Sequence, residues 1–273
     1  VDPQPLAIHR SRTRIAPFRL HRVASLAEAG RILAAEGSAA RVMAGGVDLV
    51  NLLKHGAPIG HLIYLPSIGG LSEPREEGGD LVIPCLATHR DLMRSPLVAR
   101  RLPDLPPLWR AFANPRIRAK GTIIGNLLAD NPQYDAALVM QTLGACVEWA
   151  EDAPGLAAAL RLASPPGTCL LYDRRLRPAI SVALSVLVAD GMASNLRLGF
   201  GCAFPSIIAR PLLLPGPVPL AALPSAAKAP LAEVLAGLPP ALSTFHAGAA
   251  YRREMAGVLA ARLIRRLATE AVA

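Results

Sequence analysis

The sequence predicts an α+β protein of two domains. Through the first half, short strand-like runs alternate with capped amphipathic segments. Two glycine turns, at Gly45-Gly46 and between Gly121 and Gly125, each precede a helical pattern. An Ala-, Pro- and Gly-rich stretch from 151 to 167 shows no clear periodicity and separates this half from a second set of strands and a basic amphipathic helix. The expected organisation is an N-terminal extension over 1–16, a first domain over 17–155, a linker over 156–168 and a second domain over 169–273.

Each element has a local reason. Ser25 and Glu28 are spaced as a capping box ahead of a helix over 26–36 that carries Ala29, Ile32 and Leu33 and stops at Gly37. A strand over 41–44 then runs into the Gly45-Gly46 turn, and Asp48 is placed to cap a second helix with Leu49, Leu52 and Leu53. Strands follow at 61–65 and 81–84, and Thr88-His89-Arg90-Asp91 repeats the capping pattern before a short helix. A mostly apolar helix is expected over 135–146. In the second domain, 180–188 and 195–200 read as a hairpin about Asp190-Gly191. The stretch 211–240 reads as loop. Met255, Val258, Leu259, Leu263 and Leu267 define one face of a helix over 251–267, with Arg252, Arg262 and Arg266 around it.

Composition excludes several classes. Of 273 residues, 52% are apolar and 18% charged, and Gly (22) and Pro (26) together stay below the share of roughly 25–30% that marks low-complexity disorder. The longest apolar run, 179–189, is far short of the about 18 residues a membrane span needs. No apolar signal core follows the N-terminal arginines, so a soluble cytoplasmic protein is expected. The net charge of +9 favours anionic partners, but with aromatics at only 4% the stacking surfaces of a nucleic-acid binder are scarce. The four cysteines form no C-x-x-C pair and the six histidines no metal-ligand spacing, so no metal site is expected and the thiols read as small buried hydrophobes.

The glycine turns carry the chemical signal. A glycine pair lets successive backbone N–H groups converge, and a following helix adds its positive end, which suits a phosphate. Ala44-Gly45-Gly46-Val47-Asp48 has this form, and Gly121-Thr122-Ile123-Ile124-Gly125-Asn126 offers a second such loop with a hydroxyl and an amide. Two loops would serve the two phosphates of a dinucleotide. Gly199-Phe200-Gly201 is not a Rossmann fingerprint, since the third glycine is missing and Pro205 follows in place of a helix. No G-x-x-x-x-G-K-[ST] loop is present.

Taken in order, Ala44-Gly45-Gly46-x-Asp48-Leu49, Ala87-Thr88-His89-x-Asp91-Leu92 and Ile117-Arg118-x-x-Gly121-Thr122-Ile123-x-Gly125-Asn126, with Pro132 and Asp135 behind, resemble the FAD-binding subunit of molybdenum hydroxylases. That family includes the medium subunit of carbon monoxide dehydrogenase and the flavin domain of xanthine dehydrogenase. The likeness extends to Ile180-Ser181-Val182-Ala183-Leu184, Leu198-Gly199-Phe200-Gly201 and Tyr251-Arg252-Arg253.

The resemblance implies a two-lobed flavin domain of the vanillyl-alcohol-oxidase (PCMH) type, followed by a smaller α+β domain of the carbon monoxide dehydrogenase flavoprotein C-terminal type. It implies non-covalent FAD held by Ala44, Gly45, Gly46, Val47, Asp48 and Leu49 in the first loop and by Gly121, Thr122, Ile123, Gly125 and Asn126 in the second. Thr88 and Asp135 would add secondary contacts and Tyr172 would lie beside the flavin ring. The implied role is electron transfer, from a [2Fe–2S] small subunit working with a molybdenum-cofactor large subunit to an external acceptor, with no catalytic side chain in this chain. Grouped thiolates for iron–sulfur ligation are absent here, which agrees.

Three positions depart from the family pattern. Val47 replaces a usual Thr or Ser, Asn131 a usual Asp, and Ile124 a glycine in a turn expected to need positive φ. The stretch 151–168 is also shortened. A scaffold subunit with weakened or lost FAD binding is therefore the alternative.

Overall fold

The computed structural model describes residues 15–175 and 179–270. The extension over 1–16 lies outside the described residues except for Ile15 and Ala16. The first domain has two lobes with separate sheets. In the first lobe, β1 (Arg19–Arg22), α1 (Leu26–Glu36), β2 (Ala40–Met43), α2 (Val47–Lys54) and β3 (His61–Tyr64) build a parallel sheet of order β1-β3-β2. Helix α1 begins where the capping pattern predicts: Ser25 Oγ accepts from Glu28 N at 3.1 Å. The carboxylate of Glu28 reaches one residue further back than a capping box requires, to Ala24 N at 2.8 Å.

The second lobe carries β4 (Arg75–Glu77) and β5 (Asp80–Pro84), then the short helices α3 (His89–Arg94), α4 (Pro96–Arg101), α5 (Leu105–Arg110), α6 (Pro115–Arg118) and α7 (Ile123–Leu128). Helix α8 (Asp135–Thr142) and strands β6 (Cys146–Trp149) and β7 (Ala157–Leu162) complete it, giving an antiparallel sheet of order β4-β5-β7-β6. Two expectations fail here. Helix α8 stops before 146 because Gly144, at φ 78°, turns the chain into β6. The segment expected as a linker holds β7, an inner strand paired with both β5 and β6. Its alanines have little strand propensity, and the neighbouring strands decide its conformation.

The second domain is an antiparallel sheet of β8 (Thr168–Arg175), β9 (Ile180–Ala189), β10 (Met192–Gly201) and β11 (Ile208–Pro211), with β12 (Val218–Pro219) paired to β10. Asp190 (φ 50°) and Gly191 (φ 72°) make the predicted hairpin turn, and Asn195 at φ 51° marks a bulge where the register shifts. The stretch expected as loop contains α9 (Leu223–Ala226) and α10 (Lys228–Ala236), which pack with α11 (Ala249–Glu270) on the sheet.

Strand β9 explains how the domains join. Its residues alternate: Val182, Leu184 and Val186 belong to the core under α11, whereas Ser181, Ala183 and Ser185 are small. The small face receives α8 of the first domain. On the neighbouring strand, Gly199 and Gly201 pair with Ala183 and Ser181. A Cβ at Gly199 would overlap Thr142 Oγ1, and one at Gly201 would lie 2.7 Å from Ser181 Oγ. The glycines of Gly199-Phe200-Gly201 thus serve close helix packing.

Two side-chain expectations change. Arg252, expected on the outside of its helix, is buried and donates to the carbonyls of Ala179 (2.8 Å) and Cys202 (2.6 Å), while Val258 is exposed. Only Cys85 and Cys202 are buried; Cys146 is exposed and Cys169 half-buried.

Candidate functional site

The parallel strand β2 ends in the Gly45-Gly46 turn, and the turn opens into a cavity of about 450 Å³. Gly46 adopts the left-handed conformation (φ 72°, ψ 4°) that glycine tolerates best, and it stands as N-cap of α2. No side chain caps this helix, so the N–H groups of its first turn are available to a ligand. Asp48 is therefore not the cap expected of it. It lies in the first turn, and its Oδ1 accepts the Tyr134 hydroxyl at 2.5 Å from across the cavity.

The opposite wall comes from α7 and its approach. Thr122 Oγ1 caps α7 by accepting from Gly125 N at 3.1 Å. The segment is thus a helix start and not a second open glycine turn. Gly121 and Gly125 have no positive φ, and Ile124, expected to crowd such a turn, is a buried helical residue. Gly45 brings the two walls together: a Cβ there would overlap the carbonyl oxygen of Lys120. Its requirement is space rather than φ.

Residues 44–49 and Gly121, Thr122, Gly125, Asn126 and Asp135 all line the cavity. Thr88, Ile123 and Tyr172 do not. Thr88 is spent in a capping box, accepting from Asp91 N while Asp91 accepts from Thr88 N. The N–H of Ile123 donates to Ala87 O, which ties α7 beside α3. Tyr172 sits behind the wall with its ring edge against Phe112, centroids 5.1 Å apart.

Sequence reasoning missed Tyr134, Phe112, His89 and Cys85 among the lining residues. Tyr134 is held by both burial and the charge of Asp48, which raise its hydroxyl to about 12 and keep it a donor. His89 Nδ1 accepts from Trp109 Nε1 at 3.2 Å, and burial, helped by Arg118, lowers its pKa to about 4. Burial raises the Cys85 thiol to about 11. A neutral His89 with one nitrogen engaged and a protonated Cys85 are poor nucleophiles.

The residues present fit a dinucleotide. The uncapped start of α2 suits an anion, and the buried Asn126 Oδ1 and Asp135 Oδ1, both without a hydrogen-bond partner, suit hydroxyl or N–H donors of a ligand. The volume lies within the roughly 300–1,000 Å³ usual for ligand clefts.

Residues 16–160, more than half of the chain, match the family described as FAD binding domain in molybdopterin dehydrogenase. The carbon monoxide dehydrogenase medium chain of Afipia carboxidovorans is 39% identical over 132 residues, 48% of this chain and 46% of that protein. The medium chain from Hydrogenophaga pseudoflava is 37% identical over 119 residues, 43% and 42% of the two chains. In sequence, the match spans less than half the length of these curated relatives. The structural likeness runs further: a chain of the Cu,Mo-CO dehydrogenase superposes with a TM-score of 0.78 at 26% identity, covering 94% of this chain and 99% of that one. The chain belongs to the family of FAD-binding domains of molybdopterin dehydrogenases, and FAD is its cofactor.

Proposed function

We propose that this chain is the electron-transferring FAD subunit of a molybdenum hydroxylase, taking electrons from a [2Fe–2S] partner subunit and delivering them to an external acceptor, with substrate oxidised on a molybdenum-containing large subunit. The observation that carries this reading is the uncapped first turn of α2 facing a cavity whose other wall is built from Gly121, Thr122, Gly125 and Asn126, within the residues that match the family. Bound FAD would supply the electron-carrying chemistry.

The protein's own residues bind and orient. The N–H groups of Val47, Asp48 and Leu49 would receive the pyrophosphate, and Gly45 keeps side-chain bulk out of the gap beneath it. Asn126 and Asp135 would accept from the sugar-like hydroxyls. His89 and Cys85, held neutral, support non-covalent binding. Among the described residues no group of three or more His, Cys, Asp or Glu is arranged to hold a metal. The free thiols of all four cysteines support a reducing compartment, and we place the complex in the cytoplasm. No helix among the described residues is long and apolar enough to cross a membrane.

The test is to reduce the FAD-loaded chain anaerobically, mix it with NAD, a quinone or dioxygen, and follow flavin colour, then add substrate with and without the partner subunits. The expected result is reoxidation by an acceptor and substrate turnover only with the partners. Substrate oxidation by the lone chain, or partners that cannot reduce this flavin, would refute the relay.

A further inference from the structure

Tyr172 and Arg174 lie two residues apart on β8, so both side chains leave the strand on the same face. Both meet Asp135, the first residue of α8 in the other domain. Arg174 Nη1 donates to Asp135 Oδ2 at 2.6 Å, and the Asp135 side chain is only 7% exposed. The Tyr172 hydroxyl and Asp135 Oδ1 are both buried and engage no other side chain or backbone group among the described residues, and Asp135 is the carboxylate that the hydroxyl faces. Burial and then the neighbouring Asp135 charge raise the Tyr172 pKa, which keeps that hydroxyl protonated next to the carboxylate. Asp173, on the opposite face of β8, pairs with Arg262 of α11 at 3.0 Å. One strand therefore ties the second domain's long helix on one side and the first domain's cavity wall on the other.

We propose that Arg174 and Tyr172 are positioning residues of the cofactor cavity: from the second domain they fix the carboxylate of a wall residue, so that FAD retention and docking of the two domains form one linked equilibrium. The inference rests on the reading of the cavity as the FAD site. A carboxylate this buried is set by its partners, and removing the cation leaves an uncompensated charge that must turn or take up a proton. Whatever fixes Asp135 then fixes the acceptor offered to the ligand. By reciprocity, a ligand held by that acceptor strengthens docking by the same factor.

The test uses the full chain with added FAD. Arg174→Met, Arg174→Lys, Tyr172→Phe and Asp135→Asn are compared by flavin-fluorescence titration and by thermal unfolding with and without FAD. Arg174→Met is expected to weaken FAD binding about tenfold or more and to shrink the FAD-induced rise in Tm. Tyr172→Phe is expected to weaken it less, and the Asp135→Asn, Arg174→Met double variant to bind no more weakly than the worse single one. A purely structural ion pair would lower Tm equally with and without FAD and leave the dissociation constant unmoved, which would overturn the proposal. Should Arg174→Met fail to fold, unchanged FAD affinity in both Arg174→Lys and Tyr172→Phe would overturn it as well. A wild-type chain that takes up no FAD overturns the reading of the cavity itself, and that result is visible before any variant is made.

Discussion

Replacing Tyr134 with Phe deletes one hydroxyl and keeps the ring, so it isolates the bond that joins the two walls of the cavity. In the folded chain that hydroxyl donates to Asp48 Oδ1 at 2.5 Å over 86 residues of sequence. A hydrogen bond to a charged group contributes about 1.5–3 kcal/mol. Tyr134 and Asp48 are both half-buried, so water can reach the freed carboxylate and the lower end of that range applies, about 1.5 kcal/mol. In a chain of this length such a loss lowers Tm by about 3–6 °C. FAD affinity should fall with it, by up to about tenfold, since Asp48 belongs to the first turn of α2 that faces the cavity. The assay pairs thermal unfolding with FAD titration, and Asp48→Asn serves as the partner variant in a double-mutant cycle. Unchanged Tm and affinity in Tyr134→Phe, or full additivity with Asp48→Asn, would refute a strut across the cavity.

Four further outcomes follow from the packing and charge. His89 is held near a pKa of about 4 against an ordinary 6.5, so the unfolded chain binds more protons between those values and stability falls as pH falls through that window. Relative to His89→Gln, wild type should lose about 3 kcal/mol between about pH 7 and about pH 4, and a flat difference by denaturant titration would contradict this. Gly45→Ala should push the two walls apart at Lys120, costing about 1–3 kcal/mol in unfolding experiments and reducing bound FAD. Gly199→Ala should cost a similar amount, about 1–3 kcal/mol, by driving α8 off β10, read as a lower Tm. Ile124→Gly should destabilise by about 3 kcal/mol or more, because the residue is buried and helical, and a Tm at or above wild type would restore the strained turn expected from the sequence.

What the sequence made legible was local. Ser25 with Glu28, Thr88 with Asp91, and the Asp190-Gly191 turn each announce themselves within four residues, because a cap or a hairpin turn is satisfied by its immediate neighbours. The Gly45-Gly46 turn was legible for half of its reason. The left-handed φ belongs to Gly46, whereas the demand on Gly45 comes from Lys120, seventy-five positions away. Strand β7 was hidden because Ala-Ala-Ala-Leu-Arg-Leu has no strand signature of its own and is ordered by the strands on both sides. Arg252 read as one more surface arginine since the carbonyls of Ala179 and Cys202 that enclose it lie 73 and 50 positions distant. Tyr134 had no signal at all: it makes a long-range bond to an aspartate that the motifs had already marked.

On the proposed reading FAD sits between the start of α2 and α7. The most direct measurement is the flavin spectrum of the chain after saturation with FAD and desalting, taken beside Gly45→Val, followed by acid release of the bound flavin. About one FAD is expected for each wild-type chain, released free on denaturation, and none retained by a Gly45→Val chain that still gives a cooperative unfolding transition. A wild-type chain that retains no FAD, or a folded Gly45→Val chain that retains as much as wild type, would contradict it.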